Sequence, residues 1–392
     1  MAPLHSRVSM ALAIAASTAV VLTGCSKATS VSATANDATP ASGVDLTAVR
    51  QIVESVKKAP TFTAPGPAFD AAKARGKTIL NVSLNSTVPF NQIVDKAMGE
   101  AAKAAGVRLI QYTNQGQPAQ WIQGIQSGIA QKVDLIVLEG SPDPQLLGPQ
   151  IKAARDAGIP VISTHLYDAS FASGAAKLNP NVTTFVPANH YRAGTLMADY
   201  AIAHSGGKVN AFFVASNEVQ PSAGIAKAFS NELAKRCPST CKAKVSNIPI
   251  ADWATKVPTA VQTALISDPT INYVVPVFDG MTPNLVTGIT QAGKQGQVNI
   301  VAYNGTASVM QMIQRKNLVV AEIGEPLEWL GWANVDQAMR VLAGAKPLVS
   351  EKTPLRLFDS SNINDAGNPV NQTDGYGSTD FKSGYRALWG LS

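Results

Sequence analysis

Histidine, cysteine and charged residues are all scarce in this sequence, and each scarcity closes off a class of function. Of 392 residues, four are histidine and three are cysteine. There is no His-Glu-x-x-His pair, no Gly-x-Ser-x-Gly elbow and no Gly-rich loop ending in Gly-Lys-Ser/Thr. Those are the signatures of zinc peptidases, serine hydrolases and P-loop enzymes. No catalytic residue, metal site or cofactor is therefore expected, and the one enzymatic alternative is a site hidden among the few histidines. Charged residues make up 15% of the chain, and the net charge of +6 is scattered, with no basic run longer than Lys57-Lys58. The clustered basic stripe of a nucleic-acid-binding surface is missing. Beyond residue 25 no apolar run reaches transmembrane length.

The N-terminus carries the most informative motif. Arg7 supplies a small basic region, and Val8–Leu22 form an apolar stretch of 15 residues, too short and too rich in Ala and Thr for a comfortable membrane span. The stretch closes on Leu22-Thr23-Gly24-Cys25, which resembles the lipobox of bacterial lipoproteins. The resemblance implies cleavage before Cys25, lipid on its sulfur, and a mature chain held at the extracytoplasmic face of the cell membrane by that anchor alone. An ordinary secretory signal with a chance cysteine is the alternative. Cys237 and Cys241 lie four apart in Cys-Pro-Ser-Thr-Cys. Outside the cytoplasm this spacing favours a local disulfide, and no further cysteine or nearby histidine completes a zinc site.

Residues 26–40, rich in Ser, Thr and Ala, read as a flexible tether. Asp45–Lys58 has helical spacing, with Leu46, Val49, Ile52, Val53 and Val56 on one side. From Lys77 a regular alternation begins. Strands are expected at Thr78–Leu84, Val107–Tyr112, Asp134–Leu138 and Ile159–Ser163, and helices at Gln92–Ala105, Ala119–Gln131 and Pro144–Ala157. The pattern restarts after Val182, with helices at Arg192–His204, Gly224–Arg236, Ala254–Ser267, Pro283–Gly293 and Ser308–Gln314. The strands between them are expected at Val209–Val214, Val245–Ile250, Asn272–Val277 and Asn299–Ala302. Continuous apolar strands alternating with helices imply parallel sheets covered on both faces, in a doubly wound α/β topology. Two such units imply two lobes, with ligands at the carboxyl ends of the strands.

A series of segments spread over residues 77–350 resembles the sugar-type periplasmic binding proteins, those for ribose, galactose and xylose. Among them are Val88-Pro89-Phe90, Ala101–Val107, Gln131–Val137, Ala157–Ile162, Asp268–Tyr273, Ala292-Gly293 and Val301–Thr306. The resemblance implies two doubly wound, Rossmann-like lobes joined by a three-crossing hinge, the type I fold of that family. Crossings are expected near Ala188, Gly324 and Pro354. The implied division is a signal peptide at 1–24, tether and accessory helix at 25–75, lobe 1 at 76–188 plus 325–353, and lobe 2 at 189–324 plus 354–392.

The resemblance also implies ligand-binding positions. Phe90 and Trp253 match stacking aromatics, with packing as the alternative for each. Asp279 and Asn304 match family acids that hydrogen-bond sugar hydroxyls, the second with its charge removed; either could instead serve its own turn. Asn91 is a ligand contact or the helix N-cap. The family's Asp-Arg after the fourth strand is replaced by His165-Leu166, so His165 is a ligand contact or a structural histidine. An expected arginine before Phe229 is absent, with Ala223 or Ile225 in its place. The glutamine at the second hinge gives way to Gly324 and Glu325. Without these forked and charged donors an ordinary pentose or hexose pocket loses its strongest hydrogen bonds.

The function implied is capture of a small solute, a sugar or polyol, by a monomeric, lipid-anchored protein that delivers it to an ABC permease. A ligand with fewer hydroxyls or an aromatic one is the alternative, as is a sensor presenting its closed form to a membrane receptor or kinase.

Overall fold

Apolar residues at successive strand positions, with a helix after nearly every strand, build two sheets, one parallel and one parallel except at an edge strand. The computed structural model describes residues 43–140, 142–171, 179–371, 374–376 and 380–391. Cys25 and the lipobox lie outside the described residues. Helix α1 (Leu46–Lys57) is capped by Asp45, whose carboxylate accepts from the Ala48 N–H at 3.0 Å. In the first lobe β1 (Thr78–Ser83), α2 (Pro89–Ala105), β2 (Arg108–Gln111), α3 (Pro118–Ala130), β3 (Leu135–Glu139), α4 (Gly148–Asp156), β4 (Val161–Asp168) and β5 (Thr184–Ala188) follow in turn. The sheet order is β2-β1-β3-β4-β5, all parallel. Successive residues take opposite faces: Leu135 and Val137 join the core under α2, while Ile136 and Leu138 join the core under α3 and α4.

The second lobe contains α5 (His190–Ser205), β6 (Asn210–Ala215), α6 (Ser222–Arg236), β7 (Lys242–Asn247), α7 (Trp253–Ser267), β8 (Tyr273–Pro276), α8 (Thr282–Gln291), β9 (Asn299–Asn304), α9 (Ala307–Gln314) and β10 (Val319–Gly324). Helix α10 (Leu327–Ala343) packs on α2 of the first lobe, and β11 (Arg356–Asp359) returns to pair antiparallel with β10. The second sheet runs β11-β10-β9-β8-β6-β7. The chain thus passes between the lobes at residues 188–190, 324–327 and 344–356.

Several expectations are corrected. Residues 144–147 form a turn, with Asp143 accepting from the Gln145 N–H at 2.8 Å, so α4 starts only at Gly148. Strand β7 begins three residues early and lies at the sheet edge, leaving Val245 exposed. Strand β4 continues past Ser163 to Asp168. The segment 354–392 does not stay with the second lobe. Residues 356–371 and 374–376 do, but α11 (Asp380–Leu388) and Trp389 return to the first lobe and pack on α2 and α10. The cause is a set of matched partners. Trp389 stacks on Trp332 at 5.5 Å and donates to Asp336 at 2.7 Å, and the Tyr385 hydroxyl donates to Glu351 at 3.1 Å.

The N-terminal segment bridges the lobes as well. Leu46, Val49 and Val53 bury into the second-lobe core against α5, and the Lys57 ammonium meets Asp359 at 2.7 Å. Residues 58–70 then cross to the first lobe. There Phe62 packs on Trp329 and Tyr385, the Arg340 guanidinium lies over Phe69 and donates to the Pro67 carbonyl, and the Phe69 N–H donates to Leu388.

Candidate functional site

The strand carboxyl ends of both lobes meet around one buried group of polar and aromatic side chains. His165, near the end of β4, has φ +57°, a left-handed conformation that costs a non-glycine residue about 1–3 kcal/mol unless its surroundings impose it. The β4–β5 register slips between Thr164 and Asp168, so His165 lies within a bulge. Its Nε2 lies 2.9 Å from Glu325 Oε2, and both side chains are 6% exposed. Glu325 stands on the second crossing, directly after β10. Asn304, the last residue of β9, donates its amide to the same carboxylate oxygen at 3.4 Å. Burial pushes the Glu325 carboxyl upward, but the charge and hydrogen bond of His165 outweigh it and hold the group below its ordinary value. Glu325 is thus ionised and accepts, and His165 Nε2 donates.

His190, the first residue of α5, completes the group. Burial, with the charge of His165 added, lowers its pKa to about 4, so the ring is neutral. Its Nε2 lies 3.3 Å from the His165 carbonyl, which can only accept, so Nε2 carries the hydrogen. Its Nδ1 lies 3.0 Å from the Tyr303 hydroxyl, which also hydrogen-bonds the Glu325 carboxylate and helps to hold it low. Asp168 at the end of β4 accepts from the Tyr191 N–H at 2.7 Å, tying β4 to the start of α5.

The residues named from the sequence separate into two sets. Phe90, His165, Asn304 and Glu325 come together; the Phe90 ring lies 4.8 Å from the His165 ring. Asn91 and Asp279 turn away into the lobes. The Asn91 amide donates to Glu139 at 2.7 Å, and burial, reinforced by Asp95, keeps the Glu139 carboxyl well above its ordinary range. Asp279 accepts from the Thr306 N–H at 2.7 Å and its hydroxyl at 2.6 Å. It also shares a hydrogen bond with the Glu322 carboxyl, which accepts from the Gly305 N–H. Burial lifts Asp279 to about 7, and burial plus the neighbouring Asp279 charge lifts Glu322 well above its usual value, so this pair holds a proton. Asp279 is thus a brace for the turn after β9.

Trp253 opens α7 half-buried, with Nε1 donating to the Ser216 hydroxyl at 2.8 Å. Cys237 and Cys241 are joined in a disulfide at the end of α6, remote from this group. Trp329 and Trp332 are packing residues of α10, stacked on Phe381 and Trp389. Sequence reasoning missed Asp168, His190, Tyr191, Tyr303 and Phe278, whose ring lies 6.4 Å from that of Tyr303. The signal for His190 and Tyr191 was their place at the Ala188 crossing, and for Phe278 its place beside Asp279. Among the described residues no group of His, Cys, Asp and Glu is arranged to hold a metal, and no helix is long and apolar enough to cross a membrane.

A covalently continuous pair of parallel-sheet lobes meeting at their strand ends defines a two-lobed binding protein. A family model described as a periplasmic binding protein domain matches residues 79–346, and the chain belongs to that family. Its members bind solutes and are not enzymes. The D-ribose/D-allose-binding protein of Pseudomonas aeruginosa is 22% identical over 232 residues, 58% of this chain and 68% of that protein. A solute-binding protein from Agrobacterium vitis bound with alpha-D-tagatopyranose superposes with a TM-score of 0.66 at 21% identity, over 74% of this chain and 96% of that one. The 5-methylthioribose transporter solute-binding protein from Thermotoga lettingae gives 0.67 at 22%, over 81% and 98%. This chain therefore has the fold of the solute-binding proteins of ABC transporters.

Proposed function

We propose that this chain is a lipid-anchored, extracytoplasmic solute-binding protein that acts as a monomer, closes its lobes on a small sugar-like or polyol ligand and delivers it to an ABC permease. The observation that carries the reading is the convergence of Phe90, His165, Asn304 and Glu325, from two lobes and a crossing, on one point at the strand ends. A ligand bound there touches both lobes and so favours the closed form. The ligands bound in the similar structures, a ketose and a thioether-bearing pentose among them, support the ligand class. The anchor rests on Leu22-Thr23-Gly24-Cys25.

Thermal shifts of the purified protein against sugars and polyols test the reading. At 100 times its dissociation constant a ligand adds about 2.7 kcal/mol. Absence of a shift with every sugar and polyol would remove the ligand class. Continued lipid labelling of a Cys25→Ser variant would remove the anchor.

A further inference from the structure

We infer that residues 58–70 act as a strap that restrains opening, holding the ligand-free lobes in the arrangement in which His165 and Asn304 share Glu325. Both ends of the strap are fixed, each to a different lobe. At the second lobe α1 buries Leu46, Val49 and Val53, and Lys57 Nζ pairs with Asp359 at 2.7 Å. The Lys57 carbonyl accepts from Arg356 Nε at 2.8 Å and from Asn362 Nδ2 at 3.3 Å. At the first lobe the Phe62 ring lies 5.4 Å from Trp329 and 5.3 Å from Tyr385. Lys58, Ala59, Pro60 and Thr61 are all that separate the two anchorages. They hold little slack. Lys58 leaves the helix at φ −62° and ψ 138°. Pro60 fixes its own φ and confines Ala59 to extended conformations. Chain of this kind rises about 3.1 Å per residue, against a limit of about 3.3–3.6 Å. Lobes that draw apart here by more than a few ångströms must strip Lys57 or Phe62 from its seat.

Beyond Phe62 the strap is locked to the third crossing. Lys352 Nζ donates to the Ala64 carbonyl at 3.4 Å, and a Cβ on Gly66 would lie 2.4 Å from the Leu348 side chain. Tyr385, which carries Phe62, donates to Glu351 of the same crossing at 3.1 Å. Past these contacts Arg340 holds the Pro67 carbonyl at 3.1 Å, and the Phe69 N–H donates to the Leu388 carbonyl at 2.9 Å. Hinged lobes move by rotating the backbone of a few crossing residues. A crossing with a second chain seated along residues 348–352 cannot rotate freely without shearing those contacts. Lobes restrained in this way present their strand ends together before a ligand arrives. The binding-competent fraction is raised, and the apparent affinity with it.

The test adds slack and leaves every anchorage in place. Gly-Ser-Gly-Ser-Gly-Ser is inserted between Lys58 and Ala59 of the full chain, lengthening the reach by about 20 Å. Keto amino acids at the exposed positions Lys152 of α4 and Lys256 of α7 take nitroxide labels and leave the three cysteines untouched. Double electron–electron resonance then reads the distance between the lobes with no ligand present. The native chain is expected to give one narrow distance. The insertion should move about a third of the molecules to a distance about 5 Å longer or more, as an opened hinge would. Phe62→Ala, which frees the first-lobe end instead, should produce the same longer population. An unchanged distance in the insertion variant overturns the inference whatever Phe62→Ala does. A native chain already spread over the longer distances overturns it too. Because no ligand enters the measurement, neither result bears on the sugar-like reading.

Discussion

His165 and Glu325 form a hydrogen-bonded pair at 2.9 Å that ties the last turn of a first-lobe strand to a crossing between the lobes. Glu325 also receives Asn304 from the second lobe, so one carboxylate gathers three parts of the fold. Glu325→Ala strips both donors of their acceptor. The expected loss is about 1–3 kcal/mol, read as a lower urea midpoint, together with a larger radius of gyration in small-angle scattering. An unaltered midpoint and radius would show that the pair does not hold the lobes.

Trp253→Ala should weaken ligand binding by about 1–3 kcal/mol, as loss of a stacked aromatic anchor does. The circular dichroism spectrum should be retained, because the ring is half-buried and its removal frees only the Ser216 hydroxyl and the Ile248 carbonyl. Titration of the variant with the best ligand from the thermal-shift panel checks this, and equal affinity would remove Trp253 from the site.

Acid and alkali act on different groups. His190 is lowered to about 4 and Glu325 is held below its usual value, so the stability both contribute is lost as pH falls toward 4. Asp279, raised to about 7, and Asp95 and Asp199, each raised to about 6, hold protons in the fold that the unfolded chain would release. Their stability is present at low pH and lost as pH rises through 6 and 7. Above about 6.5 the His190 contribution is complete, so the melting temperature should fall from pH 6.5 to pH 8, and Asp279→Asn should flatten the slope. A melting temperature that rises over that range would contradict the assignment.

The bridge formed by residues 58–70 depends on a glycine at its landing point. A Cβ at Gly384 would lie 2.2 Å from the Phe62 ring. Gly384→Val should expel Phe62, speed proteolytic cleavage between residues 58 and 70, and cost about 1–3 kcal/mol. Cleavage at the native rate would mean that the segment holds by its other contacts alone.

The doubly wound lobes were legible in the chain because strands such as Leu135–Glu139, buried along their whole length, stay apolar and alternate with helices. The site was legible only in part. A family position points to a residue and not to the side on which its partner stands. Asp279 faces Thr306 because the turn after β9 supplies an N–H and a hydroxyl in reach. Nothing near position 279 in the sequence announces Thr306. The return of α11 to the first lobe was equally hidden, since it depends on Trp389 meeting Asp336, 53 residues earlier.

The proton-holding carboxyls also change what the molecule looks like to an electric field. The formal charge of +6 counts every aspartate and glutamate as ionised. Burial keeps Glu139, Glu322 and Glu351 well above their ordinary range in the fold. Each proton retained at pH 7 adds one positive unit that unfolding in urea releases. Below neutral pH the native chain should accordingly carry more positive charge than the same chain denatured, since Asp279 is raised to about 7 and Asp95 and Asp199 to about 6, so that proton release on unfolding reports on whether the lobes are folded.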